Sequence, residues 1–361
     1  MVASANENSV VRLADIADAH IDELAAFFVG QAPPGADGLP RVSARLRWMA
    51  GNPARTPSIP LGWSVREETG AVVGAMLCVP FRYLVGERAE LFLMNSAFYV
   101  SEAHRGVGGA IFQAFIAFQE QHVLYCSTAH ELAGRIWQAR RAQMLPKTDF
   151  ELVGALRTGP LLEEAAHRRL KTPGAVMARA VGGLANLYRP LKLAPHRTAT
   201  LRLLVNPEEA EGRGGLVASA EAGSGGLTLL RDSSFLRWRY FDVPEPRSAI
   251  YEFRSGEETC FIGVSWGARG YRGQVRVVNI ADIWGPVSES ALSVALSTVA
   301  LASADTSDAV VLRCPSDPCE RVAIKLGFKR RAFEHPIGWY LDRRGILPGH
   351  FVLPPAGTEM V

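Results

Sequence analysis

The segment HRGVGGAIF, His104 to Phe112, sets three glycines into four positions behind an arginine and runs directly into an apolar stretch of helical length. The preceding run, Leu91 to Val100, is rich in β-formers and predicts a strand. Ala110 to Glu120 predicts the helix that follows. Glycines just before a helix let backbone amides turn onto an anion where the helix end carries partial positive charge, and Arg105 adds a fixed charge. The turn would lie at the carboxyl end of a strand, where α/β sheets place their ligands. Two familiar phosphate loops fail on spacing. A Walker loop needs a lysine after its last glycine, and the chain contains no Gly-Lys pair; a dinucleotide fingerprint aligned on Gly106 and Gly108 needs a small residue where Ile111 stands. A tight turn that merely packs helix on sheet is the plain alternative.

Working outward, the chain repeats itself. Leu46-Arg47-Trp48 precedes VREETGAVVG, which ends at Gly74, and Leu236-Arg237-Trp238 precedes FRSGEETCFIG, which ends at Gly263. The Trp-to-Gly spacing agrees to within one residue, the mark of a duplicated domain. In the first copy, helical periodicity at Asp18 to Phe28 and before Trp48 is followed by strands at Trp63 to Val65, Val72 to Pro80 and Leu91 to Val100. After the glycine turn come a helix, a strand at Val123 to Ser127, a helix at Glu131 to Met144 and a strand at Phe150 to Leu156. The second copy gives strands at Ala249 to Phe253, Cys260 to Ser265 and Val275 to Ile283. A helix at Ser288 to Ala302, a strand at Ala309 to Arg313, a helix at Pro318 to Leu326 and strands near Phe328 and Trp339 complete it. This order predicts an α/β (α+β) protein of two domains, each a mixed, mostly antiparallel sheet flanked by helices. The expected division is 1–160, a helical and glycine-rich linker over 161–226, and 227–361.

The chain has 361 residues, with 39 Lys and Arg against 36 Asp and Glu, so no overall field points to nucleic acid or a membrane surface. Five dispersed cysteines, Cys78, Cys126, Cys260, Cys314 and Cys319, read as reduced structural thiols without a metal. The start, MVASANENSV, lacks the basic and apolar regions of a signal peptide, and no run is long and apolar enough to span a membrane. A cytoplasmic protein is the expectation.

Arg105-Gly106-Val107-Gly108-Gly109-Ala110 fits the pattern Arg/Gln-x-x-Gly-x-Gly/Ala, and Val100 ends the strand five residues before the arginine. In this the chain resembles the GNAT superfamily of N-acetyltransferases, as does the Leu326-Gly327-Phe328 closure of the last helix. The resemblance extends over most of both halves and implies a tandem GNAT protein. It implies that Arg105 and the turn Gly106, Val107, Gly108, Gly109 and Ala110 hold the pyrophosphate of acetyl-CoA. It also implies that the backbone of Tyr99 and Val100 pairs with the pantetheine arm, and that the acetyl group passes directly to the amine of a small molecule or sugar. The second copy has NIADIWGPVSESALSVAL at the matching place, with Ser288 as a helix cap and no phosphate cradle, so one cofactor site is expected.

Where many such enzymes carry an acid on the strand before the loop, this chain has Met94 and Asn95, and RRAQMLPKTDF lacks the tyrosine often found before the closure. The substitutes in reach are Glu90 and His130, with Tyr125 on the strand before His130, and a neutral amine would need no dedicated base. Asp282, inside the apolar strand VVNIADIW, is a candidate for a substrate ammonium or, as plainly, a strand-end residue bonded to backbone. Three other readings stand beside acetyl transfer: a non-catalytic acyl-CoA-binding scaffold, an aminoacyl or long-acyl transferase, and a serine hydrolase. The last rests on Gly263-Val264-Ser265-Trp266-Gly267, which matches the G-x-S-x-G elbow but lacks a helix after the serine. The basic run RPLKLAPHR could meet an acidic acceptor or be a solvated helix end.

Overall fold

The computed structural model describes residues 11–31, 38–170, 191, 193, 199–210, 227–244, 248–270, 273–285, 288–313 and 316–347. Cys314, the run RPLKLAPHR apart from Leu191 and Leu193, and most of the expected linker lie outside them. The first half opens with β1 (Val11–Asp15), α1 (Ile21–Gln31) and α2 (Leu39–Ala50), followed by β2 (Gly62–Glu67), β3 (Val72–Val85) and β4 (Arg88–Val100). Then come α3 (Gly108–Ile116), β5 (Val123–Cys126), α4 (Glu131–Ala139), β6 (Gln143–Met144), β7 (Phe150–Ala155) and α5 (Thr158–Leu170). The second half contains β8 (Ala199–Leu203), β9 (Leu227–Leu229) and α6 (Ser233–Leu236), which runs on as a π-helix over Arg237–Phe241. It continues through β10 (Ser248–Ser255), β11 (Glu258–Arg269), β12 (Val275–Trp284), α7 (Glu289–Ser303), β13 (Ala309–Arg313), α8 (Asp317–Lys325), β14 (Lys329–Ala332) and β15 (Trp339–Leu341).

Two mixed sheets result. The first has the order β1-β2-β3-β4-β5-β15-β6, with β9 added at the end of β3, and the second β14-β7-β13-β12-β11-β10-β8. Among the described residues, β4 with β5 and β12 with β13 run parallel and the other pairs are antiparallel. The long apolar run of β3 is buried on both faces, as expected of a strand covered by helices on each side. One face packs on α1 and α2 through Leu24, Leu46, Leu77 and Phe81. The other packs on α3 and α4 through Met76, Cys78, Phe112 and Trp137. Gly74 lets α3 approach this second face, since a Cβ there would lie 2.9 Å from the Ile111 side chain.

The two halves exchange their last strands, which the sequence reading placed within contiguous segments. Phe150–Ala155, expected to close the first copy, lies between β13 and β14 of the second sheet, with Val153 opposite Val311. Trp339–Leu341 lies between β5 and β6 of the first, with Trp339 opposite Cys126. The chain crosses twice at one place, where Leu145 N–H donates to Gly338 O and Ile337 N–H to Thr148 O. β8, inside the expected linker, is the edge strand of the second sheet. Neither local periodicity nor turn chemistry reports which of two equivalent sheet positions a strand fills, because both bury the same apolar face. Among the described residues no helix is long and apolar enough to cross a membrane.

Candidate functional site

β4 and β5 pair only from Phe92 with Val123 to Met94 with Tyr125, and then separate. On its other side β4 stays paired with β3 as far as Val100, with an irregularity where Ala97 and Phe98 stand opposite Met76. Ala97 takes φ of 46°, a left-handed conformation that costs a non-glycine residue about 1–3 kcal/mol. The gap between the strands is a cleft of about 470 Å³ whose walls are Asn95 to Val100 on one side, Cys126 and Thr128 to His130 on another, and the α4 residues Leu132, Ala133, Ile136 and Trp137. Arg105 and Gly108 stand beside it.

The glycine turn is shaped as Glu102–Val107, a 3-10 helix kinked at His104, which passes into α3. His104 anchors it: Nδ1 lies 2.8 Å from Ser101 Oγ, and Nε2 lies 2.9 Å from a carboxylate oxygen of Glu67 at the end of β2. The amide of Gly108 donates to Arg105 O, so one of the amides expected to face an anion is used within the turn. A Cβ on Gly106 or Gly109 would meet nothing within 4 Å, and neither has positive φ. The folded chain by itself therefore has no need of glycine there. Arg105 is exposed and, among the described residues, bound by an i,i+3 pair with Glu102 at 3.0 Å, a link that solvent makes weak.

The other expected residues are dispersed. Tyr99 and Val100 line the cleft, with Tyr99 edge-on to Phe28 of α1 at 5.7 Å. His130 lines it too, as the N-cap of α4, its Nδ1 accepting from Ala133 N–H at 3.3 Å. A neutral ring bonded in this way carries its proton on Nε2 and presents a donor, so it can act as a base only by giving up the cap. Glu90 lies at the opposite end of β4, opposite Tyr83, in a two-pronged pair with Arg344 at 2.7 and 3.2 Å. That hydrogen bond holds its carboxyl below the ordinary range, and Glu90 is not among the residues that line the cleft. Asp282 is buried against Arg231, which donates from Nε and Nη2 at 2.7 and 2.9 Å. The cation sought in a substrate is supplied by the chain. Tyr125 is turned to the opposite face of the sheet, where burial first, and then Tyr83, push its hydroxyl well above the usual value.

Asn95, Ser96 and Cys126 were not singled out as site residues, although the polar pair Asn95-Ser96 interrupts the apolar strand LFLMNSAFYV. Asn95 Oδ1 and Ser96 Oγ are buried without a hydrogen-bond partner, a cost of about 1–3 kcal/mol each. Burial pushes the Cys126 thiol up to about 12, so it faces the cleft as a neutral group and not as a nucleophile. Ser265 lies buried in mid-strand within β11 and not on a strand-to-helix turn, which removes the hydrolase elbow. Among the described residues no group of His, Cys, Asp and Glu is arranged to hold a metal.

At the corresponding end of the second sheet, the N-terminus of α7 is already filled. Glu258 accepts from Ser288 N–H at 2.8 Å and from its hydroxyl at 2.9 Å, while Ser288 Oγ accepts from Ala291 N–H.

A sheet that splits between two parallel strands, with a glycine turn and helix at the gap and a second sheet of like order, defines the GNAT fold in tandem form. Solved structures agree. An N-myristoyltransferase of Saccharomyces cerevisiae with bound myristoyl-CoA superposes with a TM-score of 0.58 at 12% identity, over 94% of this chain and 80% of that one. GCN5-related N-acetyltransferases of Anabaena variabilis and Kribbella flavida give 0.54 and 0.51 at 12% and 14% identity. Each spans 92% of this chain and 72% of its own. No family model and no curated protein matches the sequence. At these identities the likeness establishes the fold.

Proposed function

We propose that the protein is a cytoplasmic N-acyltransferase that moves an acetyl group from acetyl-CoA directly to an amine of a small molecule or sugar. The observation that carries this reading is the unpaired inner edge of β4 from Asn95 to Val100, which opens a cleft beside Arg105 and a turn in which the fold does not require glycine at 106 or 109. An edge of free amides and carbonyls favours an extended amide-containing arm laid alongside it, as pantetheine is. Arg105 would hold the pyrophosphate together with the turn Gly106–Ala110, and Tyr99 and Val100 would pair with the arm. With Cys126 neutral and Ser96 without a base beside it, no activated nucleophile lines the cleft. This favours direct attack of the amine on the thioester carbon over an acyl-enzyme. As the C–N bond forms, the nitrogen becomes acidic, the C–S bond breaks, and the proton leaves with the coenzyme as its thiol. Glu258 at the α7 N-terminus supports a single cofactor site per chain.

Calorimetric titration with acetyl-CoA tests the site. Arg105→Ala removes one charge-assisted contact and should weaken binding about tenfold to a hundredfold; an unchanged affinity refutes the assignment. Among the described residues no carboxylate lines the cleft, which favours a second reading, an acyl-CoA-binding scaffold. Tight binding with no thiol release to any acceptor would establish that one instead.

A further inference from the structure

A turn that presents amides to a pyrophosphate must hold its shape, and glycines work against this, because glycine loses more conformational freedom on being fixed than any other residue. Val107 gives the turn an apolar footing, packed with Val100 and Ile111 around Gly74. The pair of Arg105 with Glu102 ties the turn only to itself, and its side chains are 74% and 87% exposed. The polar link to the rest of the domain is His104, where the turn leaves helical geometry at φ of −120° and ψ of 23°. Its Nε2 lies 2.9 Å from Glu67 Oε1 at the end of β2, and its Nδ1 lies 2.8 Å from Ser101 Oγ just past β4. A carboxylate can only accept, so Nε2 carries a proton and donates. Nδ1 of a neutral ring accepts from the Ser101 hydroxyl, and that of a charged ring donates to the same oxygen, so the link holds in both states.

Both partners of the imidazole are themselves fixed. Glu67 Oε2 accepts from the Thr69 hydroxyl at 3.3 Å, and Glu67 N–H donates to Ala71 O in the hairpin that joins β2 to β3. Ser101 N–H donates to Val73 O of β3. The ring therefore ties the turn to three neighbouring strands. With side chains 17% and 29% exposed, the His104–Glu67 pair is shielded from water where Arg105–Glu102 is not, so it is the stronger constraint. Neither His104 nor Glu67 lines the cleft. Resting on the acyl-transfer reading, we infer that His104 and Glu67 are positioning residues, which hold the glycine turn in the shape that receives the coenzyme's pyrophosphate without touching it. Without them the ligand would have to order the glycines itself, and binding would weaken by that amount.

Calorimetry with two ligands tests this: acetyl-CoA, and S-acetylpantetheine, which has the arm and the thioester but no phosphate. Glu67→Ala and His104→Leu should each weaken acetyl-CoA binding about tenfold and leave S-acetylpantetheine unchanged. The sign is diagnostic, since loss of a carboxylate near a pyrophosphate would by charge alone tighten binding. Glu67→Gln keeps an acceptor oxygen for the Nε2 proton and should bring acetyl-CoA back to within about threefold of wild type. The double variant Glu67→Ala with His104→Leu should bind no more weakly than His104→Leu alone, because the two residues act through one hydrogen bond. An unchanged or tighter acetyl-CoA Kd in Glu67→Ala overturns the inference. Equal loss of both ligands, which a general structural role would produce, also overturns it, as do additive losses in the double variant. Wild type that binds neither ligand would instead overturn the acyl-transfer reading beneath it.

Discussion

Trp48 and Trp238, the landmarks of the sequence repeat, lie face to face at 4.7 Å and 10°, and each indole N–H donates to the other's backbone carbonyl, at 2.6 and 2.7 Å. The repeat thus meets itself where α2 and the π-helical turn after α6 pack together. Trp48→Ala should cost about 3–5 kcal/mol from the cavity alone. Trp48→Phe keeps most of the stack but orphans the Trp238 carbonyl, for about 1–3 kcal/mol. Chemical denaturation of both variants should give these in order, with one transition, because the exchanged strands β7 and β15 make the halves unfold together.

Glu102 competes for Arg105. Its carboxylate pairs with the guanidinium across the turn and would repel a phosphate beside it. Glu102→Gln should therefore tighten acetyl-CoA binding, by about two- to fivefold given the worth of exposed pairs. The gain should shrink as salt is raised. Calorimetry at two ionic strengths measures both effects.

Glu258 occupies the helix end that an anion would need in the second half. One equivalent of acetyl-CoA per chain should saturate the protein. Glu258→Ala should lower stability by about 1 kcal/mol through loss of the Ser288 cap arrangement. A second equivalent bound by wild type in equilibrium dialysis would contradict the assignment of a single site.

Glu151, brought into the second sheet by the exchange, is fully buried between Arg269 at 2.9 Å, Arg313 at 3.1 Å and Arg331 at 3.3 Å. Burial alone would raise its pKa, but the three guanidinium groups outweigh burial and hold the carboxyl below its ordinary value. A lowered folded pKa means that the stabilisation is complete above the unfolded value near 4.3 and is lost as pH falls through the folded one. Unfolding free energy should decline below about pH 4, and Glu151→Gln should remove part of that slope. At pH 7 the same variant should lose about 3–5 kcal/mol, since three arginines would face one another without the carboxylate.

Much of the architecture was legible because it is local. Strand Ala309–Arg313 and helix Glu289–Ser303 follow from apolar period and the Ser288 cap, and the glycine turn from its composition. The Trp and Gly landmarks disclosed the duplication, since a repeated unit must repeat its packing residues. Glu90, Asp282 and His130 were open in the sequence because a carboxylate or imidazole takes its role from its partner. Arg344, Arg231 and the Ala133 amide are partners that only folding supplies.

The sequence by itself determined two domains of the same element order and a glycine turn between strand and helix. Side-chain period and turn residues act over a few positions. Tertiary structure alone decided that β7 and β15 change places, that Glu258 fills the second helix end, and that Asn95 and Ser96 stand unsatisfied where β4 parts from β5. Each depends on groups far apart in the chain, whose meeting is set by burial and hydrogen bonding across the sheets.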